Sequence, residues 1–330
     1  MLMRAIAWRR LVLLAVVLTS AAIVQACWRT HAAQACDVCA IYAATALQET
    51  RRGPWLGIAQ QFTRFDTEQA DGQQVANPGE WMDSSITQLL VGYNLDHRWG
   101  FQISLPYIVK SYRRMEETGL NDGRTSGIGD AALLGRFHAL NFAGAETILR
   151  VSMLGGFKLA TGDSNRLGEE LDEPGEEDGH EVSGIHGHDL ALGSGSIDGI
   201  VGATAFASWQ RLFVSGAIQY KITTEGDFDY EYADELSYAA GPGIYVLLDP
   251  AYSVALQADF SGEAKGTDRQ AGERVGDSAM TALYAGPRVH ATYKRALQFE
   301  FGGELPLIQN NSGLQVVPDY RLRGGLVWHF

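Results

Sequence analysis

The chain lacks any apolar run long enough to cross a bilayer as a helix. Its longest, Leu11 to Val24, has 14 residues, where about 20 are needed. Proline is scarce, at 9 residues against 38 glycines, a balance that suits many strands with tight turns better than disorder. All three cysteines fall in the first 39 positions, so any thiol chemistry is confined to the N-terminus. Basic residues are outnumbered, 26 Lys and Arg against 39 Asp and Glu. Such a surface excludes nucleic acid as a partner, because phosphate binding needs clustered Lys and Arg. No G-x-S-x-G elbow, EF-hand loop or H-E-x-x-H pair is present, so no catalytic residue is assigned and the chain is not read as an enzyme.

The N-terminus reads as an export signal. Arg4, Arg9 and Arg10 precede the apolar run, the order of a signal peptide. Ala33-Gln34-Ala35 offers an A-x-A cleavage site that would leave Cys36 first in the mature chain. Val24-Gln25-Ala26-Cys27 offers a looser, lipoprotein-like alternative. The organisation expected is a signal peptide at 1–35, a periplasmic segment with C-x-x-C at 36–53, and a β-barrel at 54–330.

From Trp55 onward, segments of about ten residues alternate apolar and polar, then break. Phe101, Ile103, Leu105 and Tyr107 alternate with Gln102, Ser104, Pro106 and Ile108. Tyr252, Val254, Leu256, Ala258 and Phe260 alternate with Ser253, Ala255, Gln257, Asp259 and Ser261. Period two means strand, and each segment is long enough to cross a bilayer at a tilt. About twelve segments begin near residues 54, 85, 98, 127, 146, 193, 211, 236, 251, 279, 295 and 320. The breaks alternate in length. Short ones lie at 95–98, 140–145, 209–211, 248–250 and 293–295. Long, polar ones lie at about 66–84, 112–126, 162–189, 224–235, 265–278 and 307–319. Short turns on one side and long loops on the other are the pattern of an outer-membrane barrel. The fold expected is therefore all-β: a transmembrane antiparallel up-and-down barrel of about 12 strands with periplasmic termini, in contact with outer-membrane lipid.

In such a barrel the apolar phase meets lipid and the polar phase lines a lumen. The deduced lumen wall opposes Arg136, Arg150, Lys158, Arg288 and Arg323 to Asp130, Asp259, Glu300 and Glu304. Those residues are the expected determinants of ion selectivity. The last strand places Arg323, Gly325, Trp328 and a terminal Phe330 in the arrangement of a recognition signal for the barrel assembly machinery.

Three blocks carry a family resemblance. Ser126-Gly127-Ile128-Gly129-Asp130 resembles a "GxGD" strand start, Gly156-Phe157-Lys158-Leu159-Ala160-Thr161-Gly162-Asp163 a "GxKLPTGD" segment with Ala160 in place of Pro, and Leu192-Gly193-Ser194-Gly195-Ser196-Ile197-Asp198 an "LGTGSxD" strand. They resemble the outer-membrane transporter family named after the meta pathway of phenol degradation. The resemblance implies a barrel that moves small, often hydrophobic molecules; it implies no catalytic residues. The N-terminal cysteine pair and the acidic loop lie outside its pattern.

Two candidate sites remain. Cys36 and Cys39 form C-x-x-C with Ala40 where haem attachment would need His; the readings are a short disulfide or a soft-metal site. The loop at 162–189 is strongly acidic and carries His180, His186 and His188. His186-Gly187-His188 would offer two imidazoles to one metal, against the reading of a solvated external loop. No cofactor is otherwise required. The leading function is an outer-membrane channel or transporter for a small solute. The alternative is a non-transporting barrel that scaffolds a periplasmic redox or metal partner through Cys36 and Cys39.

Overall fold

The computed structural model describes residues 51–116, 118–171 and 183–330. Cys36, Cys39, the export signal and His180 lie outside them. Twelve long strands form the wall: β1 (Gly53–Ala70), β2 (Trp81–Asn94), β3 (Trp99–Glu116), β4 (Ala132–Ala143), β5 (Thr147–Lys158), β6 (Asp198–Trp209), β7 (Leu212–Ile222), β8 (Glu235–Leu248), β9 (Tyr252–Lys265), β10 (Met280–Tyr293), β11 (Leu297–Asn311) and β12 (Leu314–His329). Each pairs antiparallel with its neighbour in sequence, and β12 closes on β1 through Trp55↔His329, Ala59↔Gly325, Gln61↔Arg323 and Thr63↔Arg321. Closure leaves the twelve-stranded wall no terminal strand, whose long open edge a chain immersed in hydrocarbon cannot tolerate.

The alternation read from the sequence sorts residues to two solvents. Leu89, Ile103, Leu256, Phe299 and Leu326 point outward and are each 41–52 % exposed. Apolar exposure of this extent all round a wall belongs to a lipid-facing surface, not to a protein in water. Aromatics bound the belt: Trp99, Trp209, Tyr252, Tyr293 and Trp328 at the short-turn end, and Tyr107, Tyr220 and Tyr320 towards the long-loop end, as interfacial girdles do. The polar phase turns inward, where Gln61, Thr63, Gln88, Gln102 and Asp259 are buried. The protein is thus an outer-membrane β-barrel.

Several expected breaks are strand. β3 runs to Glu116 and returns as a further strand, Gly119–Ile128, which pairs with its upper half. The wall then resumes at β4 after an interruption at 129–131. The break expected at 307–319 is mostly β11 and β12, joined at Ser312-Gly313, with Gly313 at φ +61°. The polar run Asn310-Asn311-Ser312-Gly313 gave this region its loop-like reading. The two strands pair with each other only from Leu297↔Trp328 to Glu304↔Arg321. Above that, β11 pairs with β10 and β12 with β1. The segment placed near 193 starts as wall only at Asp198.

Ile103 sits at the centre of the outward run from Trp99 to Tyr107 on β3. Ile103→Arg puts a charge near the bilayer midplane and is expected to cost about 2–4 kcal/mol. Equilibrium unfolding in lipid vesicles measures this; an unchanged midpoint would remove the lipid-facing assignment.

Candidate functional site

Inside the wall the side chains divide into an apolar arc and a charged arc. Trp55, Leu90 and Val327, from β1, β2 and β12, pack with Leu134, Leu154 and Ile200, from β4, β5 and β6. The arc includes Trp55, which lies flat over Gly92: a Cβ there would fall 2.2 Å from the indole, so glycine is required opposite this ring. The inward phase is therefore not wholly polar, contrary to the expectation that polar residues line the lumen.

The charged arc lies on β9 to β12. Arg288 contacts Asp259 at 2.5 Å and Glu304 at 3.3 Å. Arg323 contacts Glu304 at 3.2 Å and donates to Gln61 Oε1 at 3.0 Å. Ser261 donates to Glu304 at 2.9 Å. His290 shares a hydrogen bond with Gln257 at 2.9 Å and lies 3.8 Å from Glu300. Higher up, Arg321 holds Glu263 and lies 4.0 Å over the Tyr284 ring. Between the two arcs is a cavity of about 140 Å³, lined by Ala59, Leu90 and Val327 on one side and Gln257, Arg288, His290 and Glu300 on the other.

The three blocks of the family resemblance converge above this cavity. Lys158 lies 2.8 Å from both Asp130 and Asp198, and all three are buried. Asp130 also accepts from the backbone N–H groups of Thr161 (3.1 Å), Gly162 (2.9 Å) and Ser194 (3.0 Å). Asp198 accepts from Ser196 Oγ at 2.8 Å and from the Thr224 N–H at 3.1 Å. One cation and two anions would be costly to bury alone; here the remaining lone pairs are satisfied by backbone donors. The node ties both roots of the β5–β6 connection, Thr161-Gly162 and Ser194, to the wall.

The described part of that connection turns into the barrel mouth. Ile185, Leu190 and Leu192 pack on inward-facing Met82, Tyr112, Val316, Ile86 and Ile108. Lys110 donates to the carbonyl of Asp189 at 2.6 Å. The sequence reading of 162–189 as a solvated external loop thus fails for residues 183–189. Their apolar side chains find a lumen wall with matching apolar patches. A one-turn helix, Gly187–Leu190, carries His188 and Asp189 inward. His186 and His188 are 5 % and 4 % exposed, with rings stacked at 5.4 Å. Burial disfavours charge on His188, but Asp189 and Glu170 outweigh it and raise its pKa to about 9.

All nine residues assigned to the lumen from strand phase face inward. Asp130, Arg136, Lys158, Asp259, Glu300 and Glu304 are buried, while Arg150, Arg288 and Arg323 are half-buried. They do not form one ring. Asp259, Arg288, Glu304 and Arg323 form one network and Asp130 and Lys158 another. Arg136 bonds Asn94 at 2.8 Å and Arg150 bonds Asn141 at 3.3 Å, at the short-turn end. In the last strand, Arg323 points inward beside Gly325, whereas Trp328 and Phe330 point to lipid with rings 4.7 Å apart. Sequence reasoning placed Glu170 and Asp189 among the many acids of the histidine loop without singling them out, and left Asp277 unassigned. Only their contacts with the two histidines single them out.

Comparisons with protein-family profiles and with curated proteins return no match. Among solved structures, the chain is similar to an outer membrane channel from Pseudomonas putida F1, with a TM-score of 0.57 and 18% identity over 86% of this chain and 97% of that one. The β domain of a Bordetella autotransporter matches with a TM-score of 0.45 and 9% identity, over 85% of this chain and 100% of that one. The translocator domain of an autotransporter from Neisseria meningitidis matches at 0.43 and 13%, over 87% and 92%. The first of these likenesses establishes the barrel fold.

Lys158→Met leaves Asp130 and Asp198 buried without their shared cation. It is expected to destabilise the barrel by about 3–5 kcal/mol and to speed hydrogen exchange of the Ser194 amide. Exchange at the wild-type rate would show that the node does not hold the inward segment.

Proposed function

We propose that this protein is a narrow outer-membrane channel for a small solute with an apolar body and at least one polar group. The observation that carries this reading is the lumen with two unlike walls, apolar on β1, β2, β4 to β6 and β12, charged on β9 to β12. A solute passing between them can shed water from its apolar side while exchanging hydrogen bonds along the Gln257–His290–Arg288 side. The cavity of about 140 Å³ is close in size to an engineered apolar cavity of ~150 Å³ that binds benzene. That size suits single-ring molecules rather than peptides or oligosaccharides. The convergence of the three sequence blocks on one buried node supports membership of the transporter family that those blocks resemble. The small, often hydrophobic cargo that the resemblance implies fits the apolar arc.

The paired charges of the other arc are proposed to set ion selectivity by their local field. In planar bilayers under a salt gradient, Arg288→Glu/Arg323→Glu is expected to shift the reversal potential towards cation preference. An unchanged potential would take both arginines out of the ion path. Trp55→Ala removes the largest side chain of the apolar arc and is expected to raise single-channel conductance without changing selectivity. If proteoliposomes containing the wild-type protein admit neither ions nor small aromatic solutes faster than empty vesicles, the channel reading falls.

A further inference from the structure

Solute passage gives no task to the buried histidines at the barrel mouth. Each uses one ring nitrogen on a carboxylate from elsewhere in the chain. His186 Nε2 lies 2.8 Å from Asp277 Oδ2, in the β9–β10 connection. His188 Nδ1 lies 3.0 Å from Glu170 Oε1, in the turn after β5. The other two ring nitrogens, His186 Nδ1 and His188 Nε2, are buried and have no hydrogen-bond partner. Both face the carboxylate of Asp189, His186 Nδ1 at 3.7 Å from one oxygen and His188 Nε2 at 3.6 Å from the other. Those separations are too long for hydrogen bonds. They are close to the ~3.3 Å between two ligands that share one metal at ~2.0–2.1 Å in a tetrahedron.

We infer that His186 Nδ1, His188 Nε2 and the Asp189 carboxylate form a binding site for a divalent transition-metal ion of the zinc type. One donor atom from each residue lies within 4.8 Å of the others, wider than the ~3.3 Å of a loaded site, so binding requires the ion to draw the cluster together. Two imidazoles and one carboxylate suit zinc, copper or nickel rather than calcium or magnesium, which take all-oxygen shells. The arrangement behind the ligands is that of a metal centre: each imidazole has its far nitrogen fixed by a carboxylate, which sets the tautomer and aims the near nitrogen inward. The competing arrangement, two protonated rings held by Glu170, Asp189 and Asp277 alone, leaves both near N–H groups buried and unbonded. An ion in place of those protons satisfies both nitrogens at once. Three protein ligands leave a fourth position open.

The site also joins parts of the fold. Its ligands belong to the inward segment, whereas Asp277 belongs to a different connection. Metal binding therefore fastens the segment to the rim of the barrel, whether or not the lumen conducts.

The test uses the full mature chain in detergent micelles, stripped with EDTA, titrated with zinc chloride and freed of loose ion by gel filtration. Heat-modifiable migration in gels confirms that each variant is folded. The wild type is expected to retain one zinc per chain, and so is Cys36→Ser/Cys39→Ser. His186→Ala/His188→Ala is expected to retain none. Asp277→Asn is expected to keep the stoichiometry and lose 10–100-fold in affinity. Cobalt in place of zinc is expected to give visible bands of a four-coordinate centre without thiolate charge transfer. If the double histidine variant does not fold, Asp189→Ala replaces it and must weaken zinc binding at least 10-fold. No retained zinc in the wild type overturns the proposal. So does zinc that survives loss of the histidines and disappears with the cysteines.

Discussion

A bilayer interior offers no water to a peptide group, and that constraint governs this molecule. Every N–H and C=O along the spanning region must find a partner in the wall. With twelve strands in sequence order, the one way to leave none over is to bring β12 back to β1. Closure then divides each strand into a lipid phase and a lumen phase, because successive side chains alternate. Charges cannot face acyl chains, so they collect inside. There they must be paired, since a desolvated ion without a partner is expensive. The Arg288–Asp259–Glu304–Arg323 network and the Asp130–Lys158–Asp198 node follow from that order of causes.

Strand number and phase were legible because they depend on local chemistry. A residue such as Ile103 or Leu256 declares its side by its neighbours in sequence, and both proved to face lipid. The inward phase of Arg136, Lys158 and Glu304 was legible for the same reason. The β11–β12 hairpin was not. Pro306, Pro318 and the polar run Asn310 to Gly313 carry the composition of a loop, yet the flanking strands supply pairing that no local pattern announces. The course of residues 183–189 was hidden for another reason. His186, Gly187, His188 and Asp189 read alike in water and in a lumen; what buries them is the apolar trio Ile185, Leu190 and Leu192 meeting Met82, Ile86 and Tyr112. Those contacts join positions about a hundred residues apart. The partners of the two histidines were invisible for the same cause, since nothing near Asp277 in sequence distinguishes it.

The interior is better described as two half-walls than as a uniform pore. Apolar contact between strands on opposite sides closes one half by packing, which is insensitive to salt. Ion pairs occupy the other half, where Arg288 and Arg323 hold Asp259 and Glu304. Apolar packing and ion pairing thus fall mainly on different strands, with β12 giving Val327 to one half and Arg323 to the other.

The buried node has a consequence for the order of events in biogenesis. Asp130, Lys158 and Asp198 stand at the ends of three different wall strands, and the backbone donors on Asp130 come from both ends of a long excursion between two of them. None of these groups has anything to hold until β4, β5 and β6 lie side by side. Tethering two distant points of an unpaired chain would cost loop entropy with no return. The node is therefore a product of strand pairing rather than a seed for it: β4, β5 and β6 have to pair before their long excursion can be tied down.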